Sequence, residues 1–133
     1  VSAIAPQQNG FLGLISCLAP AIVGGNSIII LAAEKYPLTA IDFAEVLNAS
    51  DVPGGVVNIL TGNTKELHSH FSSHMDVNAM IYAGNNKDEL KTIQINAALN
   101  VKRIVVVKNI ADQNPYRILE LQEIKTTWHP VGI

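Results

Sequence analysis

The sequence predicts an α/β protein built on an open, doubly wound parallel sheet of about five strands, with a short C-terminal tail. Three observations carry that prediction. Short apolar runs alternate with helix-length segments four times before Asn109, the pattern of strand–helix–strand crossover units, which are right-handed. The run "SIIILAA" (27–33) is β-branched and shows no polar alternation, as expected of a central strand covered on both faces. Glycine, proline or asparagine punctuates the junctions.

Each element follows in order. "VSAIAP" (1–6) reads as a first strand, and "NGFLGLISCLAPAIVGG" (9–25) as a helix stopped by glycines. That helix is apolar on most sides and is therefore expected to be buried. "SIIILAA" is the second strand. Pro37 opens the next helix, where a missing N–H costs nothing. Leu38, Ile41, Ala44 and Leu47 recur there at helical spacing, until "SDVPGG" (50–55) ends the element.

"VVNIL" (56–60) is a third strand, followed by the polar helix "TKELHSHFSSH" (64–74). "VNAMIYA" (77–83) is a fourth, and "NKDELKTIQINAALN" (86–100) a helix with Leu90, Ile93 and Ala97 on one face. "KRIVVVK" (102–108) is the fifth strand. After Asn109 the alternation breaks into a loop, a short helix around Tyr116–Leu121 and an extended end containing Trp128. The chain is accordingly read as a domain over 1–109 and a tail over 110–133, the tail packing on that domain or on a partner.

Composition narrows the function classes. With 133 residues, 48% hydrophobic and 15% charged at a net charge of −2, the chain holds one ordinary core and is too apolar for disorder. It is also too neutral for a nucleic-acid surface, since "KELHSH" and "VKR" are too sparse to form a basic stripe. The most apolar stretch, "FLGLISCLAPAIV" (11–23), contains Pro20 and falls short of the ~20 residues a bilayer needs. No basic segment precedes it, which argues against a signal peptide. The single cysteine, Cys17, excludes an internal disulfide and fits a reducing cytoplasm. The chain opens at Val1 inside what reads as a strand, so a piece of a longer polypeptide is expected.

Few side chains carry chemistry by themselves. Cys17 lies mid-helix without a basic neighbour and reads as a buried, inert thiol. His70 and His74 are four apart on one helical face, a spacing compatible with a metal pair; they read instead as a solvated helix face, and no metal site is assigned. "LTGNT" (60–64) and "AGNN" (83–86) are glycine-bearing strand-to-helix turns, where phosphates often sit. Parallel sheets need small residues at such turns anyway, and no G-x-G-x-x-G is present.

Taken jointly, "APQQNGFLGLISCLAPAIVGGNSIIILAAEKYPLTA", "DVPGGVVNILTGN", "SSHMDVNAMIYAGN" and "NVKRIVVV" resemble one known pattern. From Val1 to about Val107 the chain resembles the Rossmann-like cofactor-binding domain of the aldehyde dehydrogenase superfamily. The resemblance implies NAD or NADP as cofactor and Glu34, Gly62, Gly84 and Asn85 as the cofactor-contacting positions that remain. Glu34 reads either as a ribose acceptor or as a surface acid near a helix N-terminus, where negative charge is favoured.

The same resemblance exposes replaced groups. The family attacks an aldehyde with a cysteine thiolate, steadies the oxyanion with an asparagine amide and uses a glutamate base. The asparagine position is Gln8, the tryptophan before it is Gln7, and the base position is Val107. The lysine that reaches the ribose is Leu31. The family's glycine–serine is Gly84-Asn85, and the cysteine-bearing segment has no counterpart in these residues. The run "NVKRIVVVKN…YRILELQEIKTTWHPVG" resembles the end of the truncated second region of two-region aldehyde dehydrogenases.

The resemblance thus implies a degenerate, non-catalytic domain without catalytic residues of its own, needing no cofactor or holding NAD or NADP weakly. It would serve as a structural module in the cytoplasm, packed on the catalytic region of its parent and forming a homo-oligomer, in the simplest case a dimer. Two alternatives stay open: a regulatory nucleotide-binding domain, and half of an active enzyme completed by another segment. No nucleic acid and no membrane enter any of these readings.

Overall fold

The first strand, β1 (Ser2–Ile4), is short and lies at the centre of the sheet in the computed structural model, which describes residues 1–132. It is flanked by β2 (Ile28–Leu31) and β4 (Ala79–Tyr82), with β3 (Val57–Leu60) and β5 (Arg103–Val106) at the edges. All neighbours run parallel, in the order β3-β2-β1-β4-β5. Each strand is joined to the next by a helix: α1 (Gly10–Val23), α2 (Pro37–Asn48), α3 (Thr64–Ser73) and α4 (Lys87–Ala98). The fold is the expected α/β, doubly wound, Rossmann-like sheet.

Side chains alternate across the strands, and each set meets its own helix layer. Ala3, Ala5, Ile28, Ile30, Ala79 and Ile81 pack against Leu14, Cys17, Leu18 and Ala21 of α1 and Ala40 of α2. The opposite face carries Ile4, Leu31, Met80 and Tyr82, covered by Phe71 of α3 and Ile93 of α4. Alanine at the centre of the α1 face lets that helix approach the sheet closely. The winding reverses between β1 and β4, and the loops beyond their carboxyl ends splay apart there.

Two helix faces differ from expectation. The first helix is not buried all round: Leu14, Cys17, Leu18 and Ala21 point inward, but Phe11, Leu12 and Val23 are 49–69% exposed. It forms an outer layer with only one side against the sheet. In α2 the inward stripe is Ala40, Phe43, Ala44 and Leu47, whereas Leu38 and Ile41 face out. The small Ala40 makes the closest approach to the core, which turns the helix off the expected phase. In β2, Leu31 is sealed but Ile29 is 39% exposed, so the two-sided cover is incomplete at that position.

Polar anchors finish the frame. Lys102 is buried, and its ammonium donates to the carbonyls of Phe71 (3.2 Å) and His74 (2.8 Å), which answers the open carbonyls at the end of α3. Burial lowers its pKa. His70 and the His74 ring are exposed, with His74 Nδ1 accepting the Asp76 N–H. Among the described residues no three His, Cys, Asp or Glu side chains gather as metal ligands. None of their helices is long and apolar enough to cross a membrane.

Cys17 is fully buried, and burial pushes its thiol pKa up to about 11, which removes the thiolate that reactivity requires. A short helix, α5 (Tyr116–Leu119), lies against α1. Arg117 donates to the Ser16 carbonyl at 2.8 Å and Leu121 is buried. From residue 123 to 132 the chain forms neither helix nor strand, and Trp128 is 89% exposed.

Candidate functional site

The crevice at the winding reversal has a volume of about 350 Å³. Its walls come from the loops after β1, β2 and β4 and from the first turns of α3 and α4, so five separate elements position its side chains. This is where an open parallel sheet ordinarily receives a ligand.

Glu34 is the hub. One carboxylate oxygen accepts the backbone N–H of Thr64, the first residue of α3, at 2.6 Å. Its own N–H donates to Gln7 Oε1 at 3.0 Å. Three loops are thereby stitched together around one residue. The Thr64 N–H, first among the causes, holds the Glu34 carboxyl below the usual carboxylate range. A carboxylate at a helix N-terminus also meets the positive end of the helix dipole.

The sign of the linkage follows. A depressed folded pKa contributes stability above the unfolded value and loses it as pH falls through the folded one. Because Glu34 is exposed, Glu34→Ala is expected to cost only about 1 kcal/mol near neutrality. Urea denaturation across pH should show the two proteins converging as pH drops below about 4.3, the ordinary glutamate value. A gap that persists at pH 2 would contradict the capping role.

Both helices that open onto the crevice cap themselves. Asn63 Oδ1 accepts the Lys65 N–H at 2.9 Å, and Asn86 Oδ1 accepts the N–H groups of Asp88 (2.9 Å) and Glu89 (3.3 Å). Thr64 is buried, and its hydroxyl has no hydrogen-bond partner. The Tyr82 hydroxyl lies between Glu89 Oε2 (2.9 Å) and the Asn86 carbonyl (3.1 Å) as acceptors, and accepts the Asn86 N–H at 3.2 Å. Burial, then Glu89, pushes the Tyr82 pKa up to about 12.

Of the positions expected to contact cofactor, Glu34, Gly84 and Asn85 come together in the crevice wall. Gly62 does not line it: a Cβ there would fall 2.9 Å from Leu67 Cδ1, within the start of α3. Gly84 accommodates the chain's own tyrosine, because a Cβ would lie 2.5 Å from the Tyr82 hydroxyl oxygen. Leu31 is fully buried, and Val107 is in the core with its N–H on the Tyr82 carbonyl at 2.9 Å. Gln8 lines an adjoining hollow of about 340 Å³ together with Lys108.

The roles of Thr64, Tyr82, Asn86 and Glu89 were not read from the sequence. The asparagine caps had a legible signal, since "NTKE" (63–66) and "NKDE" (86–89) both place a glutamate three residues after a capping asparagine. Glu34 meeting Thr64 had none.

Comparison with known proteins agrees with this geometry. The family model "Aldehyde dehydrogenase family" matches residues 1–121. The NADP/NAD-dependent aldehyde dehydrogenase PuuC of Escherichia coli is 33% identical over 106 residues, which is 78% of this chain and 21% of that protein. Cytosolic aldehyde dehydrogenase 1 of Elephantulus edwardii is 33% identical over 77% of this chain and 20% of its own length. Among solved structures, P. syringae AldA indole-3-acetaldehyde dehydrogenase in complex with NAD+ and IAA superposes with a TM-score of 0.73 at 33% identity. That match covers 79% of this chain and 21% of the other. The aldehyde dehydrogenase of Bartonella henselae gives a TM-score of 0.73 at 28% identity, covering 79% and 22%. The chain spans about a fifth of the length of the relatives it matches, and on the agreement of family model, sequence and fold it belongs to the aldehyde dehydrogenase family, within an NAD(P)-dependent superfamily.

Proposed function

We propose that this domain is a non-catalytic structural module of a cytoplasmic, NAD(P)-dependent aldehyde-oxidising enzyme, packed on the parent's catalytic region and self-associating. One observation carries the reading: at the two helix starts that open onto the crevice, backbone N–H groups of Thr64, Lys65, Asp88 and Glu89 are bonded by the chain's own side chains instead of being left open to a ligand. A dinucleotide needs free N–H donors at a helix N-terminus for its pyrophosphate. Here Glu34 and Asn63 cover the start of α3, Asn86 covers the start of α4, and Asp88 and Glu89 add negative charge to that turn. These residues do not fit a pyrophosphate.

The positions that the resemblance ties to the reaction point the same way. Val107 has no proton to exchange, and the longer Gln8 amide shifts the donor an oxyanion site requires. Losing the lysine at position 31 removes a charge-assisted hydrogen bond of about 1.5–3 kcal/mol, which is roughly a ten- to hundredfold loss of affinity. What remains for a nucleotide is the second Glu34 oxygen, the exposed Asn85, the unpartnered Thr64 hydroxyl and the Lys35 and Lys65 side chains of the crevice wall. These groups are the support for the regulatory alternative.

Calorimetric titration with NAD and NADP tests the reading. No saturation below the millimolar range is expected, together with no aldehyde-dependent NADH formation by this chain. Clear saturation below millimolar overturns the purely structural role in favour of a nucleotide-sensing one.

A further inference from the structure

Asn9 and Gly10 form the chain's single asparagine–glycine pair, at the start of α1. The fold needs that glycine, because a Cβ on Gly10 would lie 2.6 Å from the Tyr36 Cβ. The helix start itself is open. Asparagine side chains accept helix N–H groups at the starts of α3 and α4, but the Asn9 side chain accepts none and the first turn of α1 holds no acid. Asn9 is exposed and left-handed, at φ 54° and ψ 60°, a conformation that asparagine adopts more readily than most residues. Its carbonyl accepts the Gly13 N–H at 2.7 Å, while the Gly10 N–H meets no acceptor among the described residues.

We propose that Asn9 is a site of spontaneous deamidation, gated by the first turn of α1. The Gly10 nitrogen, its proton taken by solvent base, attacks Cγ of the Asn9 amide. The N–Cγ bond forms, the Cγ–Nδ2 bond breaks, and ammonia leaves with a proton from water. Water then opens the resulting five-membered imide at either carbonyl, which gives aspartate or isoaspartate at position 9. Nothing is oxidised or reduced, and water is the only co-reactant. Glycine as the following residue permits the closure, since it sets no side chain against the ring and leaves the backbone free to turn.

In the folded chain the reaction is held back. At ψ 60° the Asn9 Cβ stands opposite the Gly10 nitrogen across the Cα–C bond, as far away as rotation allows. Ring closure needs the two on the same side, half a turn away in ψ, and that rotation breaks the bond from Gly13 to the Asn9 carbonyl. The edge-on contact of Phe11 with Phe43, ring centroids 5.3 Å apart, also resists the opening. A terminal turn held this lightly opens at far less free energy than the whole fold. The product matters to the crevice, because isoaspartate lengthens the main chain by one carbon. Gln7, two residues upstream, supplies the oxygen that holds the Glu34 N–H at 3.0 Å. Asn9 also lines the same hollow as Lys108, so the new carboxylate arises in a space that already holds an ammonium.

Ageing the 133-residue chain at mildly alkaline pH, in buffer and in denaturing urea, is the test. Peptide mapping by mass spectrometry locates the exchange of –NH2 for –OH, and an isoaspartyl methyltransferase assay counts the isomer. Conversion at Asn9 should run about ten- to hundredfold slower in buffer than in urea, as the opening of an end turn predicts. Amide hydrogen exchange gives the independent measure. The slowing should match the protection of the Gly13 N–H and fall well below that of Ile30 in the inner strand β2. Asn9→Gln, which would have to close a larger ring, should fold normally and lose the conversion. Equal rates in buffer and urea overturn the gate, and so does a slowing that matches Ile30, which would require global unfolding. Absence of conversion at Asn9, or faster conversion at another asparagine of the folded chain, overturns the site. No readout involves a nucleotide, so the structural-module reading stands or falls separately.

Discussion

Leu31→Lys, which places the lysine of the aldehyde dehydrogenase pattern back at its position, is expected to destabilise the fold by about 3–5 kcal/mol without improving NAD binding. Leu31 is fully buried among Ile4, Phe71, Met80, Tyr82 and Ile93. An ammonium placed there loses its water and gains no carboxylate within that cluster, which is the most expensive kind of core substitution. Leu31→Met, a near volume-conserving exchange, should cost less than about 1.5 kcal/mol and separates charge from shape.

The pH dependence has a definite sign. A lysine buried in the fold has a pKa below its unfolded value, so the penalty is complete at low pH. It shrinks as pH rises toward the ordinary lysine value of about 10.4. Urea denaturation of the variant at pH 7 and pH 10 measures this. A Leu31→Lys protein as stable as the wild type that also saturates with NAD would mean that the side chain reaches the crevice. The structural-module reading would then fail.

Gly84→Ala carries the second large effect, a loss of about 2–4 kcal/mol from overpacking and a displaced hydroxyl. The added Cβ would sit 2.5 Å from the Tyr82 hydroxyl oxygen and 2.6 Å from Cζ. That ring is 1% exposed and is held at its tip by Asn86 and Glu89, so it cannot swing aside cheaply. Thermal unfolding should report the loss. In a Tyr82→Phe background, where the hydroxyl is gone, the cost of Gly84→Ala should be smaller, a coupling that a double-mutant cycle measures. If Gly84→Ala instead left stability unchanged and weakened nucleotide binding, the glycine would be serving a ligand.

These two positions show what the sequence could convey. Strand and helix order was legible because continuous β-branched runs and helical spacing are local properties. Leu90, Ile93 and Ala97 face inward as their spacing requires, with Ile93 and Ala97 buried and Leu90 half-buried. The phase of α2 was not legible, because Leu38 and Ile41 are as apolar as the residues that turn in. Nor was the exposure of α1, since hydrophobicity states what avoids water and not which neighbour covers it. At the crevice, the turns and the resemblance found Glu34, Gly84 and Asn85. The bond from Glu34 to Thr64 joins residues thirty positions apart, and no local pattern announces such a contact. Tyr82 read as one more strand residue because its hydroxyl's partners, Asn86 and Glu89, lie in the next element.

The central place of β1 also fixes a sequence of events during synthesis. Ser2 pairs with Ile29 on one side and with Met80 on the other. A nascent chain can therefore join β1, β2 and β3 under α1 and α2 while β4 is still inside the ribosome. Throughout that interval Ile4 and Leu31 lie bare, because their cover is Phe71, Met80, Tyr82 and Ile93. The half-made sheet is sticky on one side for as long as translation takes to cross α3 and α4. That interval is when a chaperone has most to do.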